Sequence, residues 1–125
     1  MFNDLIGMPY RWGACPSDGS GFTDCFGLSM EVRKRLGLHD FRPEFAFIYE
    51  QEAVSVKQIL KWLWERGEKL KEPRNGAVFC NGGRETGIAL ATVCDNDRAI
   101  LLGPSKRVIM APLATVARGK FYWAN

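Results

Sequence analysis

The stretch that decides the fold is residues 22–28, FTDCFGL, which follows the glycine-rich segment 13–21. Glycine, proline, serine and aspartate dominate the earlier segment and predict a loop. Apolar residues then recur at helical spacing, which predicts a helix from Cys25 to Leu36. Thr23 or Asp24 is a suitable N-cap for this helix. Cys25 is therefore expected in the first turn of a helix, directly after a loop.

A cysteine in this position is a candidate nucleophile. Unpaired N–H groups and the helix dipole favour the thiolate and lower the pKa of the thiol. The same N–H groups can stabilise an oxyanion, and Gly27 lets another backbone or a substrate approach closely. The alternative is a buried structural thiol, which is the commoner role of a cysteine near a helix start.

A second segment of interest is residues 8–13, MPYRWG. Its aromatic residues either anchor the N-terminal part of the chain on the core or present the Tyr10 hydroxyl to a site. Trp12 is a candidate binding residue on the second interpretation.

The rest of the chain predicts an α+β protein, a single domain over 1–125. A second helix is expected from Ser55 to Arg66, with Ser55 as its cap. Beyond a turn at residues 73–76 the pattern changes to short apolar or β-branched runs. They predict an antiparallel sheet of about five strands, Ala77–Cys80, Thr86–Val93, Ala99–Leu102, Val108–Ala111 and Lys120–Trp123.

Composition excludes several classes of function. Seventeen basic residues against fourteen acidic ones give no dense basic stripe, so no nucleic-acid partner is predicted. Segment 33–35, RKR, is expected on the solvated face of the first helix. No apolar run is long enough to span a membrane, and the first residues lack the order of a signal peptide. Four irregularly spaced cysteines and one histidine predict neither a metal site nor a cofactor.

Taken together, residues 6–14, IGMPYRWGA, and residues 22–28, FTDCFGL, resemble the opening of the NlpC-type cysteine peptidases of bacterial cell walls. The later run 75–79, NGAVF, is similar to a strand of that family. The resemblance covers most of the chain. It implies a papain-like core with the cysteine helix packed on an antiparallel sheet, and a cysteine that attacks peptide bonds of peptidoglycan.

The resemblance assigns roles to individual residues. Cys25 matches the nucleophile, Asp24 its neighbour and Tyr10 the tyrosine of the site. The family's histidine base, however, corresponds to Glu85. The third member of the site would come from near Leu102 or Gly103, where no histidine, asparagine or glutamine stands.

The remaining departures from the family pattern are Phe26 for a serine and Ala14 for a glycine. The only histidine, His39, follows the first helix and is not at the position of the base.

Replacement of the base removes the ion pair on which such a cysteine depends. An unperturbed thiol is only a few per cent thiolate at pH 7, and a neighbouring carboxylate raises its pKa further. The sequence therefore predicts a catalytically degenerate NlpC-type domain with a structural role. The family analogy places it in a bacteriophage tail tip or hub, hence in the virion, with other tail or baseplate proteins as partners. Without that analogy a cytoplasmic protein is expected.

Two alternatives remain open. The first is an active peptidoglycan endopeptidase or amidase with an altered Cys25–Glu85 site. The second is a binding module that holds peptidoglycan stem peptides in the groove without cutting them.

Overall fold

The computed structural model describes residues 2–50, 56–83, 87–95, 97–116 and 122–124. The helices are α1 (Cys25–Arg35), α2 (Val56–Trp64) and α3 (Leu113–Val116). The strands are β1 (Glu68–Leu70), β2 (Val78–Gly83), β3 (Gly87–Asp95), β4 (Arg98–Leu102), β5 (Val108–Pro112) and β6 (Tyr122–Ala124). Short 3-10 turns cover Asn3–Leu5, Pro16–Asp18 and Ala46–Glu50. The predicted α+β class is confirmed.

The sheet is built on four consecutive antiparallel strands, β2 to β5, and β6 and β1 extend it beyond β2 in the order β1-β6-β2-β3-β4-β5. The predicted strands agree with β2 to β5 to within a few residues. The sequence missed β1, because the run Glu68-Lys69-Leu70 is charged and lacks the apolar alternation of a strand. β1 pairs with β6, where Glu68 lies opposite Ala124.

Helix α1 lies against one face of the central strand β3. Successive strand side chains point to opposite faces, and Leu90, Thr92 and Cys94 are the residues of β3 that face α1. Ala91 and Val93 face the opposite apolar cluster, which α3 helps to cover through Leu113. The sheet therefore has a core on both faces, and Cys25 belongs to the core on the α1 side.

The cap of α1 is Asp24, one of the two predicted N-caps. Its side chain accepts a hydrogen bond from the Gly27 amide at 2.6 Å. The helix ends one residue earlier than predicted, at Arg35, and the chain reverses at Gly37 with φ of 79°. The predicted cap of α2, Ser55, lies outside the described residues. Helix α2 begins at Val56 and buries Ile59 and Leu63.

The predicted solvated face at residues 33–35 is wrong for Arg33. This side chain is fully buried and donates from Nη1 to the Gly76 carbonyl oxygen at 3.0 Å and from Nε to the His39 carbonyl oxygen at 3.2 Å. Burial and the nearby Arg74 lower the pKa of its guanidinium to about 10. Arg33 thus joins α1 to two segments that follow it. Lys34 is exposed, as predicted.

The N-terminal segment lies along the edge of the sheet. The Gly7 amide donates to the Val108 carbonyl oxygen at 2.8 Å, and the Val108 amide donates to Met8 at 3.0 Å. On its other side the Thr23 amide donates to Pro9 at 3.0 Å. These bonds hold residues 7–11 between β5 and the start of α1. In the described part of the chain, no helix combines the length and the apolar character needed to cross a membrane.

Candidate functional site

The candidate site forms where the loop 10–24 meets the first turn of α1. Cys25 is the first residue of that helix, as the sequence predicted. Tyr10 lies beside it because the bridge between Tyr10 and Thr23 places segment 7–11 against the helix start. The structure therefore brings Tyr10, Asp24 and Cys25 together.

Asp24 is the centre of the polar contacts at this site. Its carboxylate accepts hydrogen bonds from the Gly27 amide and, at 3.0 Å, from the Gly13 amide. It also accepts a hydrogen bond from the Tyr49 hydroxyl. Burial raises the pKa of the Asp24 carboxyl, and the three hydrogen bonds act in the opposite direction. Asp24 therefore ties the helix start to two other segments.

The Cys25 thiol lies in the apolar core on the α1 side of the sheet. The residue is 8% exposed and belongs to the cluster that contains Phe26, Met30, Phe41, Phe45, Ile48 and Leu90. Burial raises the pKa of the thiol to about 12. A hydrogen bond from the Leu90 amide opposes this effect, and the charge of Asp24 adds to it. The expected lowering of the Cys25 pKa by the helix terminus is thus overridden by burial.

Gly27 is needed for close packing within the chain. A Cβ atom at this position would lie 2.7 Å from the Ala14 carbonyl oxygen and 2.9 Å from the Cys15 Cβ. The backbone that approaches Gly27 is therefore the chain's own loop. The space that a substrate would take at this glycine is occupied.

Tyr10 and Trp12 form the exposed rim of the site, with 40% and 41% of their surface accessible. Burial raises the pKa of the Tyr10 phenol, and the neighbouring Cys25 and Asp24 charges raise it further. The Trp12 ring lies 4.9 Å from the Tyr49 ring, centroid to centroid. A partner can therefore reach both of these side chains.

Tyr49 is the site residue that the sequence did not identify. It comes from the 3-10 turn Ala46–Glu50, and its hydroxyl donates to Asp24. Burial is the main cause that raises its pKa, followed by the Asp24 charge. No spacing rule links Tyr49 to Cys25. The only signal in the sequence was its place in an aromatic-rich connection.

Glu85, which the resemblance places at the position of the family's base, lies outside the described residues. The position of the third member is described. Leu102 packs among apolar residues, and a Cβ at Gly103 would meet Ile109. The imidazole of His39 is held elsewhere, 2.7 Å from Glu44 and edge-on to Phe41.

The cysteines are free thiols, with Cys25 and Cys94 buried and Cys15 and Cys80 half-buried. Among the residues that the structure describes, no three His, Cys, Asp or Glu side chains are arranged to hold a metal ion. The arrangement around Cys25 can hold a helix start in place and present two aromatic rings. At Cys25 itself, burial outweighs the backbone hydrogen bonds that favour the thiolate.

Comparison with family models and curated proteins assigns no function to this site. No protein-family model matches the sequence, and no curated protein matches it.

Proposed function

We propose that the chain is a catalytically inactive domain of the NlpC type with a papain-like core and a structural or binding role. The observation that carries the proposal is the burial of the Cys25 thiol, whose pKa is raised to about 12. Attack on a peptide bond requires the thiolate. With a pKa raised this far, the thiol is almost entirely protonated at pH 7.

The neighbours of Cys25 support the same proposal. Asp24, which adjoins the thiol in sequence, uses its carboxylate to bind two backbone amides and the Tyr49 hydroxyl. The negative charge of the adjacent Asp24 carboxylate disfavours the thiolate further. His39, the only imidazole of the chain, interacts with Glu44. The described groups thus stabilise the neutral thiol.

The proposed role is contact with other proteins or with the cell wall. Tyr10 and Trp12 are exposed aromatic side chains, and such residues are enriched in binding surfaces. By analogy with the family that the sequence resembles, the partners are other proteins of a bacteriophage tail or baseplate, and the location is the virion. Peptidoglycan stem peptides are the proposed ligands if the role is binding.

The decisive experiment is a hydrolysis assay on purified peptidoglycan and on synthetic stem peptides. The wild-type chain and Cys25→Ala should both release no product above the buffer control. Product release by the wild type that disappears in Cys25→Ala would refute the proposal and support the altered Cys25–Glu85 hydrolase instead.

Thiol reactivity provides an independent test that needs no substrate. Iodoacetamide at neutral pH should modify Cys25 more slowly than the half-buried Cys15, as followed by mass spectrometry of the digested chain. Selective modification of Cys25 ahead of the other three cysteines would indicate an activated nucleophile.

Titration with stem peptides separates the two inactive roles. Quenching of tryptophan fluorescence that is saturable and lost in Trp12→Ala would establish binding at the rim. Lys34→Ala, on an exposed position of α1, is the matched control. If the tryptophan fluorescence shows no saturable change, the structural role is favoured over the binding role.

A further inference from the structure

The segment 45–50 contributes to the apolar cluster that buries Cys25. Phe45 and Ile48 are fully buried in the same apolar cluster as Cys25, and Tyr49 packs against that cluster from its edge. This segment, about twenty residues further along the chain, therefore helps to bury the thiol.

Tyr49 connects this segment to the loop on the other side of the site. Its hydroxyl donates to the buried Asp24 carboxylate, and its ring contacts the Trp12 ring at a centroid distance of 4.9 Å. A Cβ at Gly13 would lie 4.0 Å from Tyr49 Cδ1, so the ring also lies against the backbone of the loop. One side chain thus spans the gap between segment 45–50 and segment 12–13.

Phe47, two residues earlier, makes a different set of ring contacts. It is 39% exposed, and its ring lies 6.1 Å from the Phe45 ring and 5.0 Å from the Trp62 ring. It is an aromatic residue of the same turn that packs toward α2. It therefore serves as a matched control for Tyr49.

We infer that Tyr49 keeps the Cys25 site closed. Its hydrogen bond to Asp24 and its ring contact with Trp12 hold segment 45–50 against the site. Release of this contact opens the site locally, without unfolding of α1 or of the sheet. The inference rests on the proposed function, because a working hydrolase needs its thiol open to substrate. It adds the residue that keeps the site shut.

The cysteines of the chain supply the reporters for a test. Cys25 reports the opening of the site, and free glutathione in the same solution reports the intrinsic rate of the reagent. Cys94 is buried in β3 within a different apolar cluster, so it reports global unfolding. Iodoacetamide modification of each cysteine is followed over time in the wild type, Tyr49→Ala, Tyr49→Phe and Phe47→Ala.

We expect the modification rate of Cys25 to change in the Tyr49 variants and not in Phe47→Ala. Tyr49→Ala should raise the modification rate of Cys25 by about tenfold or more, as local opening without global unfolding predicts, while Cys94 keeps its rate. Tyr49→Phe keeps the ring and loses the bond to Asp24, so it should give a smaller increase. Phe47→Ala should leave the Cys25 rate at the wild-type value.

Three outcomes would overturn the inference. One is an unchanged Cys25 rate in Tyr49→Ala. Another is a parallel rise of Cys25 and Cys94, which would show unfolding rather than local opening. The third is an equal effect of Phe47→Ala and Tyr49→Ala. Each is distinct from failure of the proposed function, which is product release by the wild-type chain in the hydrolysis assay.

Discussion

The hydroxyl of Thr92 on β3 donates a hydrogen bond to Ser29 Oγ on α1 at 2.7 Å, and both residues are buried. Ser29 lies one helical turn after Cys25, and Thr92 lies two residues after Leu90, whose amide bonds the Cys25 thiol. This contact therefore fixes the position of α1 along the strand, and with it the depth of Cys25.

The first prediction concerns this pair. Thr92→Val should lower the free energy of unfolding by about 1–2 kcal/mol, because the Ser29 hydroxyl loses its partner in the interior. The double variant Ser29→Ala with Thr92→Val should recover part of the loss. Urea denaturation of the wild type, both single variants and the double variant measures the coupling between Ser29 and Thr92. Strictly additive losses would contradict the predicted coupling.

The second prediction concerns Arg33. Arg33→Met should lower the free energy of unfolding by about 3 kcal/mol or more, because two carbonyl oxygens lose a charged donor in the interior. Its matched control is Lys34→Met on the exposed side of the same helix, with an expected change within about 0.5 kcal/mol. Equal losses for both variants would show that Arg33 contributes no more than its exposed neighbour.

The third prediction concerns Gly27. Gly27→Ala should lower the free energy of unfolding by about 1–3 kcal/mol, because the new methyl group meets the Ala14 carbonyl and the Cys15 side chain. Lys34→Ala is the control, since it adds no steric contact and favours the helix slightly. Thermal unfolding checks both, and an unchanged midpoint in Gly27→Ala would mean that the loop can move away from the helix.

The fourth prediction is a pH dependence that originates at Asp24. Burial raises the pKa of this carboxyl in the folded chain above its value of 3.8 in the unfolded chain. The folded state therefore holds the proton more tightly, and stability from this group is full below the unfolded pKa and is lost as the pH rises through the folded pKa.

Asp24→Asn isolates this effect, because the amide side chain does not titrate. The difference in unfolding free energy between the wild type and Asp24→Asn should shift against the wild type as the pH rises from 4 toward 7. Chemical denaturation at several pH values measures it. A shift in favour of the wild type would show that the three hydrogen bonds outweigh the cost of burying the charge.

Much of the fold could be predicted because its signals are local. Apolar spacing placed α1 within one residue of its observed bounds, and Asp24 was identified as a possible cap. Short apolar or β-branched runs located β2 to β5 to within a few residues. Strand β1 could not be found in the same way, because its three residues are held by pairing with β6 rather than by their own apolar character.

The site was predicted in position but not in its chemistry. Cys25, Asp24 and Tyr10 lie together, as the family resemblance implied. The raised pKa of Cys25 depends on burial by residues distant in sequence, such as Phe45 and Leu90. Tyr49 and the buried state of Arg33 also depend on tertiary contacts, which no local pattern encodes.

The position of β6 has a consequence for the order in which the chain can assemble. Of the strands that the structure describes, this one comes last in sequence, yet it lies between β1 and β2 in the sheet. During synthesis β1 emerges more than fifty residues before the strand that pairs with it. The four strands β2 to β5 need only their neighbours in sequence, and such local pairings form sooner than distant ones. The pairing of β1 with β6 is thus expected after the pairing of β2 to β5, and deletion of residues 122–124 would leave β1 without its partner while β2 to β5 keep the partners adjacent to them in sequence.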